Sequence, residues 1–345
     1  MLHLPHTTRG VPSGVAGRRT NLGLFVALPA AVLTGFAAFL AGSGPVVLVV
    51  GLHAVVGFGI LLLLPWKSLI ARRGLRHRRP GRATSILLAV LVVVALLTGL
   101  AHSTGLLVDI GGYGVLLVHV GVGLALLVPA ALHVRRRRIR PRTTDLGRRN
   151  LVRGGLLGVG ALGSYLAFEG ITAAAGLPGA TRRGTGSYER SSGTPEGVPA
   201  TSWLFDAIPD MAAGAGLVVA VGDSERTWSM AEVRGHGDRM TAVLDCTGGW
   251  WTEQTWAGAL VSGLLPAGTT GTVTVISATG YRRRLPLTDK LLLATDVGGR
   301  PLAPGHGAPL RLVVPGRRGY HWVKWVVRIE HDTLPWWWQP PLPLH

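Results

Sequence analysis

Residues 20–66 read TNLGLFVALPAAVLTGFAAFLAGSGPVVLVVGLHAVVGFGILLLLPW, and this stretch contains no Lys, Arg, Asp or Glu. A helix needs about 20 apolar residues to cross the hydrocarbon core of a bilayer. The stretch is long enough for two crossings, with a break at AGSGP (41–45). Two further charge-free runs, 83–108 and 110–134, continue the pattern. We predict membrane-spanning helices at roughly 21–41, 45–66, 84–104 and 112–133, and a weaker, glycine-rich fifth at 153–172.

The charge of the chain is distributed very unevenly between its two halves. Residues 1–169 hold 19 Lys and Arg but only three acids, whereas residues 170–345 hold 16 Lys and Arg and 14 acids. A sequence pI near 11.5 is typical of nucleic-acid-binding proteins. Here, however, the excess lies in clusters between charge-free apolar runs. We therefore predict membrane lipid as a partner and no nucleic acid.

The basic clusters predict the orientation of the helices. They precede the first span, join the second to the third (67–82) and join the fourth to the fifth (135–152), whereas the other two connections carry no Lys or Arg. Because short basic loops stay on the cytoplasmic side, we predict a multi-pass protein of the cell membrane with a cytoplasmic N-terminal tail (1–20). A four-helix membrane domain (21–134) follows, and everything after the fifth span is extracytoplasmic.

The basic loop 135–152 ends in a second signal. GRRNLVRGG (147–155) resembles a twin-arginine export motif, with Arg148 and Arg149 ahead of a mild, glycine-rich apolar stretch. Paired arginines in so arginine-rich a chain also fit a plain topology signal. TAAAG (172–176) fits a cleavage site, but a retained anchor is the interpretation we favour.

Histidines at membrane depth are candidates for function. His53 and His119 lie on the second and fourth spans, both about 11–12 Å below the predicted outer boundary at 1.5 Å per residue. Two histidines at one depth on different helices suit the axial ligation of one haem b iron. His133 follows His119 by 14 residues, but the second span offers Lys67 where a second partner is needed. The alternative is ordinary hydrogen bonding between helices.

Residues 173–200 are rich in Gly, Ser, Thr and Pro and predict a linker. From residue 201 the sequence pattern changes to short apolar runs separated by Gly, Pro and Asp. This pattern predicts a β-rich α+β domain over 201–345. The predicted strands include GLVVAV (216–221), TAVLDC (241–246), GTVTVISATG (271–280) and HWVKWVVRIEH (321–331). The best helix candidate in this half is 253–264.

Cys246 is the only cysteine of the chain, and a lone cysteine is most often an inert core residue. Its surroundings favour another interpretation. Three motifs follow one another in order: AVLDCTGGWWTEQTWAGAL (242–260), GRPLAPGHGAPLR (299–311) and VKW (323–325). The first contains a Trp-x-Gly that we expect to begin a helix. This ordered set resembles the molybdopterin-binding domain of the sulfite oxidase family, and the resemblance covers about residues 201–340.

The resemblance implies a molybdopterin cofactor with molybdenum. In that family the cysteine is a thiolate ligand of molybdenum, and Cys246 falls on that position. The family binds the pterin and its phosphate through a His, an Arg and a Lys, which here are His306, Arg311 and Lys324. We also expect PGRRGYHW (315–322), with Arg317, to contribute to the phosphate cradle. Soft sulfur suits molybdenum, and guanidinium and ammonium groups suit a buried phosphate.

These features predict a multi-domain, membrane-anchored oxidoreductase that performs oxygen-atom transfer at the outer face and exchanges electrons with the membrane domain through haem b or a quinone. The alternative is a cofactor-free binding or scaffold protein that keeps the fold. Sulfite oxidases proper have an arginine five residues after the cysteine and a tyrosine near the end of the chain. This chain has Trp251 and DTLPWWWQPPLPLH (332–345) instead. We therefore expect a neutral or partly apolar oxo donor or acceptor, such as a sulfoxide or N-oxide, rather than sulfite, in a pocket lined by Trp250, Trp251 and Trp336–Trp338. The alternative is that these tryptophans pack the domain against the membrane surface.

Overall fold

The computed structural model describes residues 13–42, 46–75, 81–136, 142–202, 206–211, 216–288 and 290–342. The predicted N-terminal tail as far as residue 12, part of the break at 41–45 and parts of the two basic loops lie outside the described residues. The chain divides into a helical unit, residues 1–38 and 47–181, and a β-rich unit, residues 39–46 and 182–345.

Among the described residues, five long helical segments have the length and composition to cross a membrane, as predicted. Large apolar side chains are exposed along them, for example Leu48 at 73% and Val26 and Val159 at 68%. Such all-round apolarity suits helices that face lipid. The helices are α1 (Ser13–Leu40), α2 (Val46–Leu75), α3 (Arg82–Thr104), α4 (Val115–Ala125), α5 (Leu127–Arg136) and α6 (Arg148–Ala174).

The fourth apolar segment is interrupted between α4 and α5. Leu126 separates the two helices, and Pro129 follows three residues later. Because proline lacks the amide hydrogen that would bond the carbonyl four residues back, the helical ladder is weakened at this point. A two-stranded ribbon, β1 (Asp109–Ile110) and β2 (Tyr113–Gly114), joins α3 to α4.

The described residues of the β-rich unit form two sheets and one short α-helix, α7 (Met230–Gly235). The six-stranded sheet has the order β11-β10-β7-β3, with β12 also paired to β10 and β6 to β7, and the five-stranded sheet has the order β5-β4-β13-β8-β9. The strands are β3 (Tyr188–Glu189), β4 (Leu217–Val221), β5 (Ser224–Trp228), β6 (Asp238–Asp245), β7 (Trp250–Leu260), β8 (Thr272–Ser277), β9 (Arg282–Pro286), β10 (Leu292–Val297), β11 (Arg300–Pro301), β12 (Arg311–Val313) and β13 (Val326–Asp332).

The core of the β-rich unit is formed by aliphatic residues of these strands. Leu217, Val273, Val275, Leu292 and Ile329 are fully buried. Residues 272–275 of β8 and 292–295 of β10 are buried without interruption. Because successive side chains of a strand point to opposite faces, these two strands are covered on both faces. Three of the strand predictions quoted above are confirmed by β4, β6 and β8. The fourth is confirmed from residue 326 onward by β13, whereas residue 321 ends a 3₁₀ turn and 322–325 form no strand.

The helix predicted at 253–264 is wrong. Residues 250–260 form β7, the central strand of the six-stranded sheet, and only 261–264 make a short 3₁₀ turn. Trp256 and Gly258, expected at a helix start, therefore lie within a strand. The buried face of β7 includes Thr252 and Gln254. Because these inward residues are polar, the period-two pattern of the strand is hidden in the sequence.

Residues 173–200, predicted as a linker, contain regular structure. Tyr188 and Glu189 form β3, which pairs in parallel with Trp250 and Trp251 of β7. Short 3₁₀ turns occur at Pro178–Thr181 and Pro195–Gly197. The second part of this segment is therefore an edge of the six-stranded sheet, where Gly, Ser and Thr are tolerated because pairing uses the backbone alone.

Candidate active site

Cys246 lies at the tip of the β6–β7 hairpin. Its amide donates to the carbonyl of Trp250 at 2.8 Å, and the amide of Gly249 donates back to the Cys246 carbonyl at 3.2 Å. Gly249 has a φ of +88°, which glycine adopts without strain. The half-buried Sγ accepts a hydrogen bond from the Gly248 amide at 3.3 Å and lies 3.4 Å from Thr201 Oγ1. This turn fixes the direction of the thiol.

A buried ion pair supports the hairpin behind the cysteine. Asp245 Oδ1 accepts from Arg318 Nη1 at 2.5 Å and from Ser187 Oγ at 2.7 Å, while Oδ2 accepts from Thr185 Oγ1 at 2.8 Å. The side chains of Arg318 and Asp245 are only 2% and 6% exposed. A Cβ on Gly319 would lie 3.2 Å from the Cα of Cys246. The 316–319 turn thus packs directly against the cysteine.

Arg311 begins β12 and is buried beside the central strands. Its Nη1 donates to the carbonyl of His306 at 3.1 Å, and its guanidinium lies over Trp256 and Trp322, 5.5 and 5.7 Å from their ring centroids. Burial lowers the pKa of Arg311 to about 10, and the nearby Cys246 sulfur opposes this shift. Arg311 therefore stays charged at neutral pH, while its buried Nε has no hydrogen-bond partner in the described chain.

Lys324 supplies a second cation. Its Nζ donates to the carbonyls of Thr201 at 2.8 Å and Gly305 at 2.5 Å. Burial, with the charge of Arg311 next, lowers the pKa of Lys324 to about 7, and the Cys246 sulfur opposes the shift. An anion bound beside Lys324 would raise this pKa again and hold the ammonium charged.

His306 completes the cluster from the loop ahead of β12. Burial, followed by the charges of Arg311 and Lys324, lowers the pKa of His306 to about 4. The imidazole is therefore neutral near pH 7 and can offer one donor and one acceptor. Gly307 has a φ of +104°, and a Cβ there would lie 3.0 Å from the Cβ of Lys324. Glycine at 307 lets this loop approach Lys324.

Trp325 holds the loop of His306 against Lys324. Its indole Nε1 donates to the carbonyl of Pro304 at 2.8 Å, and its amide donates to the carbonyl of Gly307 at 3.3 Å. Trp325 is buried and adopts a φ of +52°. Such a backbone in a bulky residue costs about 1–3 kcal/mol and tends to occur at functional sites.

Arg317, predicted with the phosphate cradle, has its contacts elsewhere. Its guanidinium lies over the ring of Trp336, 4.3 Å from the centroid. The pKa of the nearby His321 is lowered to about 3, first by burial and then by the positive charges of Arg283 and Arg317. The structure therefore brings Cys246, His306, Arg311 and Lys324 together but assigns Arg317 to a second basic cluster.

The tryptophans of the β6–β7 hairpin and of residues 336–338 differ in their surroundings. The ring of Trp251 lies under the guanidinium of Arg183, 5.0 Å from its centroid. A Cβ built on Gly248 would lie 3.5 Å from Trp250 Nε1 and 3.6 Å from Cys246 Sγ, so Trp250 is the indole that borders the thiol. Trp337 and Trp338 are 62% and 64% exposed.

Sequence reasoning missed the Asp245–Arg318 pair and the Ser187 and Thr185 hydroxyls that complete it. An aspartate directly before the lone cysteine is the only local signal, because its partners come from segments 58 to 73 residues away. In the helical unit the structure brings the predicted pair His53 and His119 together, with ring centroids 5.9 Å apart.

The Cys246 cluster has the chemistry of a site that binds an anionic ligand. A thiol aimed by its turn, two cations and a neutral imidazole surround one region, and one buried guanidinium nitrogen is unsatisfied within the described chain. Arginine offers a planar, bidentate fork to phosphate, and lysine acts as a point charge. These residues fit a cofactor that carries a phosphate and a soft metal.

Comparison with known proteins agrees with this chemistry. Residues 217–336 match the oxidoreductase molybdopterin binding domain family. The mitochondrial sulfite oxidase of Rattus norvegicus is 36% identical over 108 residues, which are 31% of this chain and 19% of that protein. The NADPH nitrate reductase of Mycosarcoma maydis is 55% identical over 40 residues, 12% of this chain and 4% of that protein.

The inducible NADH nitrate reductase 1 of Glycine max is 47% identical over 45 residues, 12% of this chain and 5% of that protein. The chain thus spans less than a fifth of the length of each of these curated relatives. A solved structure, the sulfane dehydrogenase SoxCD from Paracoccus pantotrophus, aligns at 24% identity with a TM-score of 0.31 and covers 33% of this chain and 37% of that one. The family match and the sulfite oxidase relative together establish that the β-rich unit contains a sulfite-oxidase-like molybdopterin-binding domain.

Proposed function

We propose that this chain is a membrane-anchored molybdenum-cofactor oxidoreductase that transfers an oxygen atom to or from a small molecule. The observation that supports it most is the grouping of a directed thiol with two buried cations inside the molybdopterin-binding domain. A cofactor-free scaffold has no physical need for this grouping, because burying cations without an anion costs several kcal/mol per ion.

The residues of the cluster would divide the work of binding. Cys246 Sγ would ligate the metal, and Arg311 and Lys324 would hold the phosphate of the pterin. The neutral His306 would donate or accept one hydrogen bond at the pterin edge. When bound, the cofactor supplies a centre that takes up or releases two electrons and an oxygen atom. The protein would fix its orientation through the β6–β7 hairpin and the 304–307 loop.

The helical unit would anchor the enzyme and carry its electrons. With five spans and basic loops inside, the N-terminus would be cytoplasmic and the β-rich unit extracytoplasmic. A domain beyond the last span that holds a cofactor needs an electron route, which membrane haem b or a quinone would provide. Bound lipid and a membrane redox partner are thus part of the proposal.

The substrate we propose is a neutral oxo donor or acceptor rather than sulfite. The position five residues after the cysteine is Trp251 instead of arginine. The missing charge-assisted hydrogen bond is worth about 1.5–3 kcal/mol to a charged ligand. This corresponds to a loss of roughly 10–10² in kcat/KM at about 1.4 kcal/mol per decade.

The decisive experiment is metal analysis of the purified full chain, followed by steady-state kinetics with sulfite and with small sulfoxides. We expect molybdenum bound in a one-to-one ratio and turnover of sulfoxide. Protein without molybdenum, made in cells that load other molybdenum enzymes, would identify the scaffold alternative as correct. Sulfite turnover with kcat/KM of about 10⁴ M⁻¹s⁻¹ or more would overturn the substrate assignment.

Export of the β-rich unit provides a separate prediction. Arg148 and Arg149 are exposed at the start of α6. Changing both to Lys keeps their charge, so the helices should keep their orientation while twin-arginine export fails and the β-rich unit stays inside. Protease protection of a C-terminal epitope in spheroplasts measures this. The matched control is Arg135→Lys with Arg136→Lys at the end of α5. Unimpaired export of the 148/149 double variant would reduce the cluster to a topology signal.

A further inference from the structure

The helical unit contains an internal repeat of polar residues that its apolar composition conceals. Thr34 and Gly35 of α1 have identical counterparts 64 positions later in α3, Thr98 and Gly99, and Asn21 has a polar counterpart at the same spacing, Ser85. His53 and Lys67 recur 66 positions later as His119 and His133. The hydrogen bonds recur as well: Thr34–His53 at 3.2 Å matches Thr98–His119 at 3.3 Å, and Lys67–Asn21 at 2.7 Å matches His133–Ser85 at 3.0 Å.

The hydrogen bonds of His53 and His119 fix their tautomers. His53 Nδ1 lies 3.0 Å from the carbonyl oxygen of Ala31, and His119 Nδ1 lies 2.9 Å from that of Ala95. A carbonyl oxygen only accepts, so each Nδ1 carries the proton and donates it. Each Nε2 therefore keeps its lone pair, and none of the hydrogen bonds of these rings in the described chain uses Nε2. This is the arrangement in which a histidine binds a metal through Nε2.

Threonine hydroxyls reinforce both rings in the same manner. Thr34 Oγ1 donates to the Ala30 carbonyl at 2.6 Å, and Thr98 Oγ1 donates to the Val94 carbonyl at 2.8 Å. Each hydroxyl oxygen is thus left to accept from the neighbouring Nδ1–H. The outer partners of a metal-binding histidine orient the ring and raise its basicity.

Glycines enclose the rings on one side and leave space on the other. A Cβ on Gly35 would lie 2.9 Å from Cε1 of His53, and one on Gly99 would lie 3.1 Å from Cε1 of His119. Gly57 and Gly123 each lie four residues after a histidine, hence on the same helix face. A Cβ on either would meet no atom within 4 Å in the described chain, although both residues are half-buried. The helix faces that carry the two histidines are therefore open at Gly57 and Gly123, which leaves room for a flat ring system beside the imidazoles.

From this geometry we propose that His53 and His119 are the two axial ligands of a single haem b, which is the electron carrier of the helical unit. Two metal–imidazole bonds of about 2 Å on opposite sides of one iron place the ring centroids about 6 Å apart. The observed distance is 5.9 Å, with the ring planes at 79°. The other pair of equivalent positions is Lys67 and His133, where a lysine stands in place of one histidine. The repeat therefore provides one pair of histidine ligands.

The identification of the carrier rests on the proposed function, and the electron count fits it. A haem held by His53 and His119 would accept and release one electron at a time. Because one oxygen-atom transfer involves two electrons, the haem would pass on two electrons in succession for each turnover. For a sulfoxide substrate, a membrane quinol supplies the two electrons and two protons, and the products are quinone, sulfide and water.

The test is the optical and paramagnetic-resonance spectrum of the purified full chain, made in cells with ample haem. We expect one haem per chain with the low-spin signature of bis-imidazole ligation. His53→Ala and His119→Ala should each lose that signature, while His102→Ala and His133→Ala should keep it. Gly57→Leu should lose haem because the leucine fills the space, whereas Gly154→Leu, also in open surroundings, should not. Circular dichroism confirms that each variant remains helical.

A milder change distinguishes ligation from mere packing of two imidazoles. Thr34→Val should keep the haem but raise its midpoint potential, because His53 loses an acceptor and becomes a weaker donor to the iron. Haem-free wild-type protein, or retention of the low-spin spectrum in both alanine variants, overturns the proposal. Cys246→Ser separates the two proposals, since it should leave the haem spectrum unchanged. Haem without molybdenum refutes the proposed function alone, and molybdenum without haem refutes this inference alone.

Discussion

Replacing Cys246 by serine is expected to abolish turnover while the β-rich unit stays folded. The side chain is half-buried at the edge of the hydrophobic core, and its hydrogen-bond partners are one amide and one hydroxyl, which a serine oxygen can also meet. The stability should therefore change by no more than about 0.5 kcal/mol. The soft metal, in contrast, loses a thiolate for which a neutral hydroxyl is a poor substitute. We expect kcat to fall at least about 10³-fold, equivalent to about 4 kcal/mol.

The measurement is single-substrate kinetics together with metal and pterin content. Thr247→Ser is a matched control, because it changes the next residue of the same turn and should keep wild-type turnover. Pterin should remain bound in Cys246→Ser, since the phosphate contacts that we assign to Arg311 and Lys324 are intact. Activity within tenfold of the wild type would show that the thiol is not a metal ligand.

Much of the helical unit could be predicted because its signal is long and local. Charge-free runs of about 20 residues or more indicate membrane-spanning helices regardless of what surrounds them. Counting residues along two helices was also enough to bring His53 and His119 to one level. The carbonyl partners Ala31 and Ala95 were not predictable, because any apolar residue on the neighbouring helix can present a carbonyl and only the packing selects one.

The β-rich unit was predicted less completely, for two physical reasons. A strand shows its period only where its buried face is apolar, and β7 buries Thr252 and Gln254. Gln254 Nε2 bonds the Ser191 carbonyl at 2.6 Å and Thr252 Oγ1 at 2.9 Å, so both are satisfied inside the sheet. The pairing of β3 with β7 was also invisible, because an edge strand uses its backbone and needs no particular side chains.

The residues of the candidate site could also be predicted only in part. Cys246, His306, Arg311 and Lys324 could be selected because a resemblance over ordered, spaced motifs carries long-range information that periodicity lacks. The expectation for 315–322 is that this stretch, with Arg317, completes the phosphate cradle. Arg318, however, turns inward to Asp245, and the guanidinium of Arg317 lies over Trp336. Which of two adjacent arginines faces the interior depends on a partner 73 residues away.

Replacing Asp245, the partner of Arg318, by asparagine is expected to destabilise the β-rich unit strongly. The amide keeps the shape of the carboxylate but removes the charge that compensates Arg318, whose side chain is 2% exposed. Breaking a buried pair by neutralising one member costs about 3–5 kcal/mol, because the other charge is left buried without compensation. At roughly 2–4 °C per kcal/mol for a unit of this size, Tm should fall by about 10 °C.

Tryptophan fluorescence of the full chain in detergent measures this change, because every tryptophan except Trp66 lies beyond residue 200. The control is Glu225→Gln, which breaks an exposed pair with Arg328 in the same unit and should cost less than about 1 kcal/mol. Asp245→Asn with Arg318→Met removes both charges, so the double variant should be more stable than Asp245→Asn alone. If Asp245→Asn melts no lower than Glu225→Gln, the network that supports the cysteine hairpin is held by the Ser187 and Thr185 hydroxyls rather than by charge.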